Sequence, residues 1–263
     1  MARYFYSYKL NTADQPDLFM CNEGLLKLDV VQEKMLENSV PINQNGDVEG
    51  EGYHKIEIIQ VGNEQAIQAF CLTRTSLGYY NEARLTQGAF TTERKQYTYA
   101  TKSIVYITTD NQVIIMFDNS LEERAKAKVK AQIESLGFET TALQINDSLI
   151  RAIKSNHAWR AATFNKIVKH GDNTKKVSFE IDPANDTDPS QIDQQYGEHG
   201  EMAHIKFEIP YDVQGAPTLV TVTVYSKGNR IIIEETEFAN DQLFNEFVVY
   251  LIKKLGDLIN PVI

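Results

Sequence analysis

Residues 103–137, SIVYITTDNQVIIMFDNSLEERAKAKVKAQIESLG, constrain the fold more than any other stretch. Ile104 to Thr108 are β-branched or aromatic, the side chains that suit a pleated surface. Asp110-Asn111 tolerates the positive φ of a tight hairpin turn. Val113 to Phe117 then returns as an unbroken apolar run. Strands without polar alternation are covered on both faces, so this hairpin belongs in the interior. Ser120 and Glu123 have the spacing of a capping box. Leu121, Ala125, Val129, Ile133 and Leu136 form one apolar stripe on a helix that Gly137 closes.

The same order returns at 218–256. Leu219 to Tyr225 alternates Val220, Val222 and Val224 with Thr221, Thr223 and Tyr225. Gly228-Asn229 is the turn, Ile231 to Ile233 the return strand, and 241–255 a helix closed by Gly256. Its stripe of Leu243, Phe244, Phe247, Val248, Leu251, Ile252 and Leu255 is wider than that of the first helix, so it should be the more buried. The recurrence is what an internal duplication would leave, although hairpin-plus-helix is also a common local unit. The expected fold is α+β in two similar halves, 1–143 and 144–263. Each half is a mainly antiparallel, hairpin-rich sheet with helices on one face.

The chain of 263 residues can bury a sizeable core. Cys21 and Cys71 alone imply no disulfide framework. No apolar run is long enough to cross a membrane. The N-terminus alternates like a strand and lacks a signal-peptide core. These features point to a cytoplasmic chain without membrane contact.

Elsewhere, 2–9 reads as a strand, Val31 to Leu36 as a helix and 39–52 as a surface loop. Tyr53 to Val61 and Ala66 to Thr75 make a hairpin around Gly62-Asn63. Residues 76–100, polar with scattered tyrosines, read as loop with some short structure. Asp147 is the expected N-cap of a helix from Ser148. Two readings of the stretch beyond Asn156 remain open. In one the helix continues through Val168. In the other it breaks near Asn156, and Phe164 to Lys169 is a strand pairing with Lys176 to Ile181 across Gly171-Asp172-Asn173. The β-branched Ile167-Val168 and Val177 favour the second. Residues 182–201 are acidic and contain no Lys or Arg, which marks an exposed, mobile loop.

No complete catalytic or metal pattern is present. Glu201 and His204 form a single E-x-x-H, whereas a di-iron site needs two. Asp182, Asp186 and Asp188 lack the glycine and terminal glutamate of a calcium loop. The acids Asp172, Glu180 and Asp182, with Lys175-Lys176 between them, suit a metal-dependent phosphodiester hydrolase, the alternative enzymatic reading. No catalytic residue, metal ligand or cofactor is assigned.

Net charge is −10, which disfavours bulk contact with nucleic acid. The charge is uneven, however. Segment 151–176 has seven cations against Asp172, a local +6 that leaves −16 for the remainder. Its candidate contact residues are Arg151, Lys154, Trp159, Arg160, Lys166, Lys169, Lys175 and Lys176. Cations neutralise phosphates and an aromatic face stacks on bases. The leading expectation is therefore a non-enzymatic nucleic-acid-associated or regulatory binding protein that contacts DNA or RNA. Two readings compete with it. The lysines could solvate a surface around a core Trp159. Alternatively, the segment could dock on the chain's own acidic 182–201 or on a second protomer. A further reading is a protein-binding adaptor without nucleic-acid contact, using exposed Thr221, Thr223 and Tyr225.

Overall fold

The computed structural model describes residues 2–12, 16–21, 24–182, 190–213, 216–234 and 238–259. The elements run β1 (Ala2–Asn11), α1 (Pro16–Phe19), α2 (Leu28–Glu37), β2 (Gly52–Val61), β3 (Glu64–Thr86), β4 (Ala89–Thr108), β5 (Gln112–Phe117) and α3 (Lys126–Glu134). They continue with β6 (Glu139–Ala142), α4 (Asp147–Asn156), β7 (Trp159–Asn165), β8 (Lys176–Glu180), α5 (Gln191–Tyr196), β9 (Glu201–Val213), β10 (Ala216–Tyr225), β11 (Arg230–Glu234) and α6 (Asp241–Ile259). At 26% helix and 50% strand the fold is mixed α and β, and its registered ladders are antiparallel. Among the described residues, no helix is long and apolar enough to cross a membrane.

The chain forms two compact units. One comprises Met1–Lys9, Gln60–Glu64 and Thr141–Ile263; the other comprises Leu10–Ile59 and Gln65–Thr140. In the first, the strand order is β1-β11-β10-β9-β7-β8. The valine alternation of β10 sets its inner face. Val222 lies opposite Ile233 on one side and Phe207 on the other, and Val224 opposite Ile231 and Ile205. All six side chains are buried. That face meets α6, where the Phe5 and Phe244 rings lie 5.8 Å apart and those of Tyr211 and Phe247 5.1 Å apart. Each such side chain contributes roughly 1.5–3 kcal/mol on burial. Helix α6 runs through Gly256 to Ile259 rather than ending there; one glycine within a helix costs only about 1 kcal/mol.

In the second unit the order is β2-β3-β4-β5. Val105, Tyr106 and Ile107 of β4 and Val113 to Phe117 of β5 are all buried, as strands apolar on both faces require. Asn111 turns this hairpin at φ +66°. The expected Ser120/Glu123 box is not what starts the next helical stretch. Asn119 Oδ1 accepts from Leu121 N and Glu122 N, both at 3.0 Å, ahead of a 3-10 turn at Glu122–Ala125. The longer side chain of Asn119, one residue before Ser120, takes those donors instead.

The largest departure from expectation is 76–100. This stretch is strand on both sides of a two-residue turn at Gln87 (φ +52°) and Gly88 (φ +81°). Positive φ at both central residues is the hairpin geometry that matches strand twist. The ladder continues from Thr75↔Tyr99 to Thr86↔Ala89, with one bulge between Ser76 and Gly78.

Candidate binding surfaces

The structure breaks the basic segment after Asn156, as in the second sequence reading, but the strand there is Trp159–Asn165 rather than 164–169, and it pairs with β8 from Asn165↔Lys176 to Ala161↔Glu180. The N-cap of α4 is Asn146, whose Oδ1 accepts from Leu149 N at 3.0 Å. This leaves Asp147 for another task. Its carboxylate accepts from Arg151 Nε at 2.8 and 2.9 Å and from Met202 N at 2.7 Å. Arg151 also donates to Gly197 O at 2.8 Å and Gly200 O at 2.7 Å. The guanidinium fork thus fastens α4 to the turn before β9.

Three of the other six cations, Lys154, Lys166 and Lys169, face the chain's own acidic stretch 182–201. Lys154 Nζ lies 2.7 Å from Asp193 Oδ1 and 5.5 Å from the centre of the Trp159 ring. Arg160 donates to Glu208 Oε1 at 2.9 Å, and Lys166 to Glu201 Oε2 at 2.7 Å. Lys169 lies 5.2 Å over the Tyr196 ring. Asp193 and Tyr196 belong to α5, so part of the expected acidic loop is helical; residues 183–189 of that loop, with Asp186 and Asp188, lie outside the described residues. Lys175 and Lys176 are exposed, and their ammonium groups have no side-chain partner among the described residues. Trp159 is half-buried, edge-on to Phe179 at 5.8 Å, and Phe179 stacks on Phe164.

The candidate metal residues are dispersed. Asp172 accepts from Tyr196 OH at 2.8 Å and from Thr174 N at 2.8 Å, and hydrogen bonds from Thr174 and Tyr196 hold its carboxyl down at about 2. Glu201 and His204 lie opposite Asn165 and Thr163 of β7, so a bulge between them puts both on one face, but Glu201 is engaged by Lys166. His204 stacks on Tyr225 at 4.6 Å, and burial, with Lys206 and Lys176 nearby, holds its imidazole below the ordinary value. No group of three or more His, Cys, Asp or Glu residues that could hold a metal occurs among the described residues.

Sequence reasoning missed the ribbon 76–100. Directly opposed residues share a face. One face holds Tyr79/Gln96, Asn81/Arg94, Ala83/Thr92 and Leu85/Phe90; the other holds Tyr80/Lys95, Glu82/Glu93 and Arg84/Thr91. On the first, the Arg94 guanidinium lies 4.2 Å over the Tyr79 ring, while Leu85 and Phe90 are 65% and 84% exposed. On the second, the opposed Glu82 and Glu93 would repel. Arg84 answers them at 3.4 and 3.3 Å, and Lys95 binds Glu82. The Lys95 hydrogen bond draws the Glu82 carboxyl below its ordinary range, and Glu82 in turn raises Lys95. The charged face is therefore neutralised within the ribbon, whereas the aromatic face stands in solvent. The signal that could have found it is the Gly88 turn with tyrosines about equally far to either side.

No protein-family model matches the chain, and no curated protein matches it.

Proposed function

We propose that this chain is a binding protein, a protein-contact adaptor that presents the 76–100 ribbon to its partner. The observation that carries this is the exposure of Phe90 and Leu85, at 84% and 65%, side by side at the end of a ribbon. A two-stranded ribbon is marginal in water on its own. Clustered exposed apolar side chains mark interaction sites. The basic segment supports the same reading from the other side, since Arg151, Lys154, Arg160, Lys166 and Lys169 are engaged within the chain. A second reading, association with DNA or RNA, rests on Lys175 and Lys176, with Lys166 beside them in an ion pair whose side chains are 73% and 56% exposed. Such an exposed pair is weak and exchanges readily for a phosphate. We also read the two hairpin-plus-helix units as copies of one ancestor. In support, Asn111 and Asn229 both hold positive φ ahead of the paired isoleucines Ile114-Ile115 and Ile232-Ile233.

Photo-crosslinking separates the two readings. Benzoylphenylalanine is placed at Phe90 or at Val168, an exposed position within the basic segment, in cells that make the chain naturally. The adaptor reading expects position 90 to capture polypeptide far more than position 168 does. Capture of nucleic acid at 168, with nothing captured at 90, would overturn it in favour of the second reading.

A further inference from the structure

We propose that the free edge of β3 over residues 79–87 pairs with the same edge of a second copy of this chain, about a two-fold axis at Ala83. The proposal rests on the ribbon being the contact element and names its partner.

The edge is open for a geometric reason. Strand β3 lies between β2 and β4, and β2 begins at Gly52, so the hairpin at Gly62-Asn63 carries it along β3 only as far as about Thr73. The ladder ends where the Glu51 carboxylate accepts from Arg74 N at 2.6 Å. Among the described residues, β3 beyond that point is flanked on one side only, by β4. A long open edge is a template for another strand unless it is blunted. Here the outer part of β3 has no proline and no lysine.

The side chains choose the occupant and the register. In a two-fold antiparallel pairing, opposed residues share a face, so the two numbers in every pair have an even sum. With Ala83 on the axis, Glu82 of each copy lies opposite Arg84 of the other, which gives two opposite-charge pairs. Tyr80 then meets Thr86, Asn81 meets Leu85, and Tyr79 meets Gln87. An axis at Glu82 or Arg84 would oppose like charges. On the free edge of β4 the equivalent pairing of Glu93 with Lys95 puts Arg94 against Arg94. The β3 edge is therefore self-complementary in charge about a small central residue, and the result is a four-stranded sheet with Leu85 and Phe90 of both copies on one face.

The test places cysteine at the axis of the full chain, in a Cys21→Ser background; Cys71 is buried. Opposed side chains at the axis have Cβ atoms about 4.5–5.5 Å apart, within reach of a disulfide. Under mild oxidation Ala83→Cys should yield a covalent dimer, while Thr92→Cys, directly across the ribbon from Ala83, should remain largely monomeric. In sedimentation, Glu82→Arg or Arg84→Glu should each weaken dimerisation by about tenfold, and the double exchange should restore it, because swapping both signs keeps the pairs opposite. A monomeric Ala83→Cys, equal cross-linking of Thr92→Cys, or no rescue in the double exchange would overturn the proposal. Capture of a different polypeptide at position 90, with Ala83→Cys monomeric, would overturn it while leaving the adaptor reading standing.

Discussion

Replacing Arg151 by alanine distinguishes a structural fastening from an open cationic surface. Its guanidinium makes two bonds to carbonyls, Gly197 O and Gly200 O, and its Nε–H a bifurcated contact with both oxygens of Asp147. We assign about 1 kcal/mol to each carbonyl bond, at the low end for a charged donor because the site is only part-buried. The ion pair involves side chains 39% and 36% exposed and so adds only about 0.2–1 kcal/mol. Asp147 keeps its bond from Met202 N and is not left unsatisfied. The expected loss is roughly 2–3 kcal/mol, a large part of a typical domain's stability of about 5–15 kcal/mol. Urea unfolding at fixed temperature measures it as a lowered midpoint. Arg151→Lys should recover less than half, because one ammonium cannot hold the carboxylate and both carbonyls. A stability change in Arg151→Ala under about 0.5 kcal/mol would refute the reasoning. If that variant also lost affinity for nucleic acid, the segment would be a contact surface after all.

Three further outcomes are expected in the same region. Gly200→Ala should destabilise the fold by about 1–3 kcal/mol in thermal melts, since its new Cβ would lie 2.9 Å from Ile167 Cγ1 and 3.2 Å from Asn165 O; an unchanged melting temperature contradicts that packing. Trp159→Ala should cost roughly 2 kcal/mol, less than a fully buried tryptophan, and unaltered stability with lost nucleic-acid binding would return Trp159 to a stacking role. His204 has its folded pKa held below 6.5, so the unfolded chain takes up its proton first. Its contribution is complete above the unfolded value and declines as pH falls below it. His204→Gln should therefore flatten the slope of stability between about pH 7.5 and 5.5, leaving the part due to His157, which burial and Lys254 also hold low; an unchanged slope counts against the assignment.

The hairpins at 104–117 and 219–233 were legible because their information is local. β-branched runs, the Asn111 and Gly228-Asn229 turns and the α6 stripe each specify conformation within a few residues. The strand at 159–165 was only half legible. Ile167 and Val168, the β-branched pair that pointed to extension, lie beyond its end; within it only Thr163 is β-branched, and its ladder partners on β8 and β9 supply the rest.

The ribbon and the fate of the basic segment were not legible, for different reasons. Residues 76–86 and 89–100 bury neither face over most of their length, so the period-two alternation that reveals a strand never had cause to appear. Their strandedness comes from continuing a ladder begun in the buried part of β3 and β4. In the basic segment the sequence by itself determined the charge excess and its acidic counterpart some 20–50 residues downstream. Only the tertiary structure decided that Arg151, Lys154 and Lys166 meet Gly197, Asp193 and Glu201. Charge types and counts are properties of the chain. Their partners are set by which strands β7 and β9 place side by side, and an ion pair, acting only over a few ångströms, leaves no trace in linear order.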